Sequence, residues 1–354
     1  MMTGTPKSEW YQPVVELTRG RIVESIHYGA AAVVNSEGKL IASYGDPYAV
    51  SFLRSAAKPF QALPFIEMGG DEKFNFSPAE IGLICASHSG TDEHKSALET
   101  LQARIGISES DLQCGTHPPL SKDTADTLIR RGETPTQNRH NCSGKHTGML
   151  AHARLRGLDI STYLDMKSPV QQSILQAFSE MCGIPEDQVE LGIDGCSAPN
   201  FAVPLFNAAL GLARLSDPRS LKPDRAKACN KIFAGMTGAP FMVAGPGRFD
   251  TLFMTEKHGT ILTKAGAEGY QVFGVPAQDG KPGLGIAIKI SDGDADNRAR
   301  DLVGLEILRQ LGLVSNDDLS RLSDFYTRKL YNWRKLEIGE IRPGFTLLKK
   351  QVST

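Results

Sequence analysis

The stretch Val50-Ser-Phe-Leu-Arg-Ser-Ala-Ala-Lys-Pro-Phe60 sets Ser55 three residues ahead of Lys58. A serine hydroxyl is almost wholly un-ionised at neutral pH and needs a base within hydrogen-bond reach to become a nucleophile. A lysine serves if burial or a neighbouring cation lowers its pKa. Residues three apart on a helix share a face, with Cβ atoms about 5–6 Å apart, so the spacing predicts that the short serine and the long lysine meet. Pro59 disfavours the α region for Lys58. It is accommodated if Ser55 opens the helix, where N–H groups lack partners anyway. The competing reading is a helix cap followed by a solvated lysine, and the rest of the chain decides between them.

Around this stretch the patterning changes twice. Residues 14–44 read as β structure, with Ala31-Ala-Val-Val34 and Lys39-Leu-Ile-Ala42 flanking the hairpin turn Asn35-Ser-Glu-Gly38. Ile81–Ala86 is a short apolar run read as a buried strand, ending in Ser87-His-Ser-Gly90, and 92–105 has helical spacing. Helices are predicted over 123–131, 145–156, 168–182, 202–215 and 225–236, with Ser168-Pro169 as cap and first residue of one of them. Strands return at 270–275 and 284–290, followed by an amphipathic helix over 294–311, and the polar tail from Asn316 is left unassigned. Strands at both ends with helices between predict an α/β (α+β) fold. A mixed sheet would unite the N- and C-terminal segments (approximately 14–118 and 240–312), with a mainly helical lobe over 119–239. Together these make one two-lobed catalytic unit across 1–354, with a small-molecule site in the cleft.

Composition narrows the partners. The 354 residues are 40% hydrophobic and 22% charged with a net charge of -1, which gives no attraction to nucleic acid or an anionic membrane. No run of 18 or more apolar residues is present, and Met1–Trp10 lacks a basic start followed by an apolar core. Six scattered cysteines do not make a disulfide framework, so a reducing cytoplasm is the expected setting.

Four polar clusters could carry chemistry. Arg54-Ser55-x-x-Lys58 is the first. Ser87, in Ala86-Ser-His-Ser-Gly90, could be oriented by a lysine from elsewhere, and Lys264 in Thr263-Lys-Ala-Gly-Ala-Glu-Gly269 is a candidate. The bland readings are a turn for the one and a surface lysine for the other. Cys142-Ser-Gly-Lys145-His146 and Asp194-Gly-Cys196 are not standard zinc patterns. Cys142 and Lys145 nevertheless have a spacing that can put both on one metal, provided the lysine ligates as the neutral amine. Asp194 suits an ammonium group and Arg54 a carboxylate, the two ends of an amino acid.

Several segments in order resemble the Rhizobium-type L-asparaginases, the third structural class, also called the asparaginase II family. They are Arg54-Ser-Ala-Ala-Lys-Pro59, Cys85-Ala-Ser-His-Ser89, Asn141–His146 with Gly148-Met-Leu150, Asp194-Gly-Cys196, Met242-Val-Ala-Gly245 with Gly247-Arg248, Lys264-x-Gly-Ala267 and Ile288-Lys-Ile-x-Asp-Gly293. The resemblance implies hydrolysis of L-asparagine to L-aspartate and ammonia, a serine β-lactamase/glutaminase-like fold, and a homodimer. By matched position it implies Ser55 with Lys58 and Ser87 with Lys264 as two Ser-Lys tandems. Cys142, Lys145 and Cys196 would be the Zn2+ ligands, and Arg54, His146 and Asp194 would lie around the substrate. The zinc would support binding more than the chemical step. The expected mechanism is acyl transfer with Ser55 as nucleophile and Ser87 relaying protons, the reverse assignment being the alternative. A glutaminase, a penicillin-recognising hydrolase on the same scaffold and a zinc-dependent amino-acid-binding protein are the competing functions.

Overall fold

The computed structural model describes residues 7–350; Met1–Pro6, part of the stretch read above for a leader, lie outside it. The chain opens with three antiparallel strands, β1 (Gln12–Arg19), β2 (Ile22–Asn35) and β3 (Leu40–Tyr44). The β2–β3 connection is the predicted turn: Lys39 N–H donates to Asn35 Oδ1 at 2.8 Å, and Gly38 has a φ of 85°. A separate small sheet has β4 (Val50–Phe52), β5 (Glu190–Ile193) and β6 (Pro199–Pro204) in the order β4-β6-β5. β7 (Leu262–Gly266), β8 (Tyr270–Val275) and β9 (Leu284–Ile290) return to the main sheet, and β10 (Arg328–Tyr331), β11 (Glu337–Pro343) and β12 (Leu348–Lys349) complete it. The main order is β10-β11-β1-β2-β9-β8-β7, with β3 on the second half of β2 and β12 on β3. N- and C-terminal segments thus share one sheet, and the fold is mixed α/β. The pairings are antiparallel rather than mixed. Many neighbours are joined by short turns, a connection that parallel strands cannot use.

Helices cover the sheet on both faces, and strand alternation assigns which residues meet which helix. Gly274 and Gly285 pair across β8 and β9 and face the helix Leu205–Ser216. A Cβ at Gly285 would land on the Ala209 carbonyl oxygen, and one at Gly274 on the Ser216 hydroxyl. Phe273 and Ile288, of the opposite parity, meet Gly304 of the helix Arg300–Gln310. Gly285→Ala should therefore overpack helix against sheet and destabilise by about 3 kcal/mol. Urea unfolding checks this, and a change within about 0.5 kcal/mol, typical of an open surface site, would contradict the packing.

Several expectations are corrected. Ile81–Ile84 of the apolar run belong to a helix, Pro78–Ile84, opened by the Ser77–Glu80 capping box and capped by Cys85; a short apolar run carries no period that separates strand from helix. The helix expected over 202–215 begins at Leu205, because Pro199–Pro204 pairs as β6. The helix expected from 294 begins at Arg300, because the Asp294 carboxylate accepts the backbone N–H groups of Arg298, Ala299 and Arg300 ahead of it. The unassigned tail contributes β10, β11 and β12. No helix among the described residues is long and apolar enough to cross a membrane.

Candidate active site

Arg54–Ala57 form a 3-10 turn that runs into the helix Lys58–Glu67. The α-helix opens at Lys58 and not at Ser55. Pro59 is then its second residue, where a missing N–H costs no intrahelical bond. This changes where the lysine goes. Instead of turning back to Ser55, Lys58 Nζ donates to Ala86 O (2.5 Å), Ser87 Oγ (2.9 Å) and Asn141 O (3.4 Å). Ser55 is half-buried and lines a cavity of about 450 Å³ together with Arg54, Asn141, Cys142, Asp194 and Cys196.

Ser87 follows the helix Pro78–Ile84 and is fixed by its own N–H donating to Val243 O at 2.9 Å. Lys264 reaches it from inside β7, wholly buried, which rules out the surface reading of that lysine. Its Nζ contacts Ser87 Oγ at 3.0 Å and donates to Ala265 O at 2.8 Å. Two amines thus converge on one hydroxyl. A hydroxyl has one proton to give, so one amine accepts it while the other donates. Lys264 is the better acceptor. Burial, reinforced by Lys58 and Arg248, brings it down to about 7 against the opposing pull of Asp250. A substantial neutral fraction is therefore present near neutral pH.

The charged end of the cavity is built on a strained residue. Arg54 has a φ of 52°, a left-handed conformation uncommon for a side-chain-bearing residue. Its N–H donates to Asn200 Oδ1 at 3.1 Å, from β6, which holds the turn in place. Its Nε donates to Asp194 Oδ1 at 2.8 Å, and its Nη1 lies 3.9 Å from Glu268 Oε1. The guanidinium and carboxylate therefore stand side by side at the cavity wall.

The two cysteines and Lys145 also come together. Cys142 caps the helix Ser143–Leu155, and Gly144 lets that helix start against the Leu83 carbonyl, where a Cβ would collide. Cys196 lies in the turn closed by Ser197 N–H donating to Asp194 O at 2.9 Å. Lys145 Nζ donates to Cys196 Sγ at 2.9 Å. A hydrogen bond from Cys196 pulls Cys142 well below the ordinary thiol range, and the same contact raises Cys196. Burial opposes charge on Lys145, but the two sulfurs outweigh it and push the amine up to about 12. Among the described residues no group of three or more His, Cys, Asp and Glu side chains could hold a metal ion. A metal here depends on Lys145 as the third donor. Two sulfurs and an amine nitrogen suit zinc, which would have to displace the protons they carry.

His146 sits on the same helix but is turned towards Tyr163, whose hydroxyl is 2.6 Å from its Nδ1 and accepts the Gln113 N–H at 2.8 Å. Its Nε2 is buried without a partner among the described residues. Burial, with Lys145 adding to it, holds the ring well below its ordinary pKa, so it is neutral. Sequence reasoning missed Asn141, Tyr163, Asn200 and Asp250. Only Asp250 had a signal, a lone carboxylate in the apolar run Phe249-Asp-Thr-Leu-Phe253.

The family model L-asparaginase II matches residues 15–343. No curated protein matches the chain. Among solved structures it is similar to Mglu in its native form in the presence of 4.3 M NaCl, at 14% identity and a TM-score of 0.40, over 82% of this chain and 63% of that one. A second structure of native Mglu gives 15% identity and a TM-score of 0.42, over 82% of this chain and 66% of that one. The chain thus spans just under two thirds of the length of these two. A Bacillus glutaminase in the presence of 4.3 M NaCl gives 14% identity and a TM-score of 0.34, over 80% and 91% of the two chains. Likenesses this distant do not assign an activity.

Proposed function

The chain belongs to the L-asparaginase II family of amidohydrolases, and on that premise we propose that it hydrolyses L-asparagine to L-aspartate and ammonia through Ser55. What supports this reading is that Ser55 lines one cavity with the paired Arg54 and Asp194, while Lys58, three residues on, joins the buried Ser87 and Lys264. Arg54 takes the substrate α-carboxylate and Asp194 the α-ammonium, which leaves the side-chain amide for Ser55. Ser55 Oγ attacks the amide carbon. In the free enzyme Lys58 bonds Ala86, Ser87 and Asn141 and not Ser55, so the proposed transfer carries the Ser55 proton to Lys58 through a bridging water, and onward through Ser87 to Lys264. The tetrahedral intermediate expels ammonia, which takes a proton back from the lysines, and an aspartyl ester on Ser55 remains. Water attacks that ester along the same proton path, releasing aspartate and restoring the serine.

Cys142, Lys145 and Cys196 would hold Zn2+, which would tie the two loops that carry the cysteines together at the cavity and offer a Lewis-acid position there. Metal analysis of purified protein should find about one zinc per chain and much less in Cys142→Ala. Full loading of that variant would sink the ligand set. Chelation should raise KM more than it lowers kcat, and the opposite pattern would put the metal in the chemical step. The resemblance also implies a homodimer, which sedimentation equilibrium checks.

Ammonia release separates the competing readings. We expect kcat/KM for L-asparagine to exceed that for L-glutamine by about 10–200-fold, the discrimination that one methylene allows. A preference for glutamine or for a β-lactam would make this another hydrolase. Stabilisation by asparagine without ammonia release would make it a binding protein.

A further inference from the structure

Lys264 has a second buried neighbour that the serine chain leaves unused. Asp250, on the helix Phe249–Glu256, is 2% exposed, and its Oδ2 lies 3.7 Å from Lys264 Nζ. The carboxylate is clamped to the strands that carry the lysine. Ala265 N–H donates to Oδ2 at 2.9 Å, and Gln271 Nε2 donates to Oδ1 at 3.1 Å and to Thr263 Oγ1 at 2.6 Å. Burial works against its charge, but Lys264, the Ala265 N–H and Arg300 outweigh it and hold the carboxyl below its ordinary range. The result is an ionised group, fixed in a buried site within 3.7 Å of the amine that also contacts Ser87. A base oriented by a third group is a recurrent arrangement around activated serines.

We propose that Asp250 is a positioning residue for the reaction, holding the Lys264 amine against the Ser87 hydroxyl and supplying the counter-charge when a proton arrives there. This rests on the reading of Lys264 as the end of the proton path. The groups acting on that amine are Asp250 from its helix, Arg248 just ahead of that helix, Lys58 from the helix Lys58–Glu67, and Cys142 at the start of the helix Ser143–Leu155. Asp250 is the carboxylate among them. A merely structural Asp250, tying its helix to β7 through the Ala265 N–H, would affect stability, and its neutralisation would move the amine's titration without lowering the rate above the acid limb.

Asp250→Asn keeps the shape and removes the charge. Losing a negative neighbour lowers the amine's proton affinity, so the acid limb of kcat/KM should move to lower pH by about one unit or more. The rate above the limb should fall at least about tenfold. Asp250→Glu retains the charge and should keep the limb at its wild-type position even if rate and stability drop. Titration of Lys264 by NMR of 13Cε-lysine protein should show the same downward shift in Asp250→Asn with no substrate present. That readout does not depend on turnover: a wild type that releases no ammonia from any amide ends the functional reading, while the NMR shift still judges the Asp250 contact. An unmoved titration and limb, or an undiminished rate above the limb, in folded Asp250→Asn overturns the inference. So does a displaced limb in Asp250→Glu if the asparagine variant fails to fold.

Discussion

Ser55→Ala is expected to lower kcat for L-asparagine by about four to six orders of magnitude with KM changed only a few-fold. Removal of a nucleophile that acts as a unit with its base forfeits nearly the whole chemical acceleration, and only binding and electrostatic stabilisation remain. KM should stay because, on the proposed reading, Arg54 and Asp194 would hold the two ends of the amino acid and neither depends on the hydroxyl. Ser87→Ala should cost less, about 10²–10⁴-fold, the usual range for a proton-transfer group. With Ser87 gone, the amines that flank it at 2.9 and 3.0 Å can exchange the proton through water. A larger loss in Ser87→Ala than in Ser55→Ala would reverse the two roles.

The second large effect belongs to Lys264. Lys264→Met removes the proposed terminal acceptor and should lower kcat/KM by about 10³–10⁴-fold. In the wild type the sign of the pH dependence follows from its titration. Lys264 is brought down to about 7 by burial and by Lys58 and Arg248. Above that pH the amine is neutral and can accept; below it the proton is already there. Activity should therefore fall about tenfold per pH unit below roughly pH 7, the slope of a single required deprotonated group. A flat profile down to pH 5 would show that Lys264 is not the acceptor. The same depressed pKa makes the folded state bind fewer protons than the unfolded chain between about pH 7 and the ordinary lysine value. Lys264 therefore destabilises the fold as pH drops through that window, a cost that pH-dependent unfolding can measure.

How far the sequence foretold this arrangement depends on the range of each interaction. Local signals were reliable: the strands at 270–275 and 284–290 and the helix at 92–105 form where their patterns place them. So does the cap at Ser168. The Ser55–Lys58 spacing was legible, but its consequence was not. Pro59 delays the α-helix to Lys58, and the lysine then finds Ala86 and Ser87 about thirty positions away. Lys264 looked like a surface residue before a glycine-rich turn, because nothing local records that β8 and the helix Phe249–Glu256 close over it. Asp250 stood out as a lone carboxylate in an apolar run, but nothing local tied it to Lys264. Its role appears only when the Gln271 and Ala265 donors fold against it. The tail strands had no clear local pattern at all; β11 is defined by its pairing with β1, more than three hundred positions away in the chain.

In the proposed reaction Ser55 carries the acyl group. Rapid acid quench of wild-type protein mixed with L-asparagine, followed by peptide mapping by mass spectrometry, reads this directly. An aspartyl ester on the peptide containing Ser55, absent from Ser55→Ala, is the predicted result. The same adduct on the peptide containing Ser87 would contradict it.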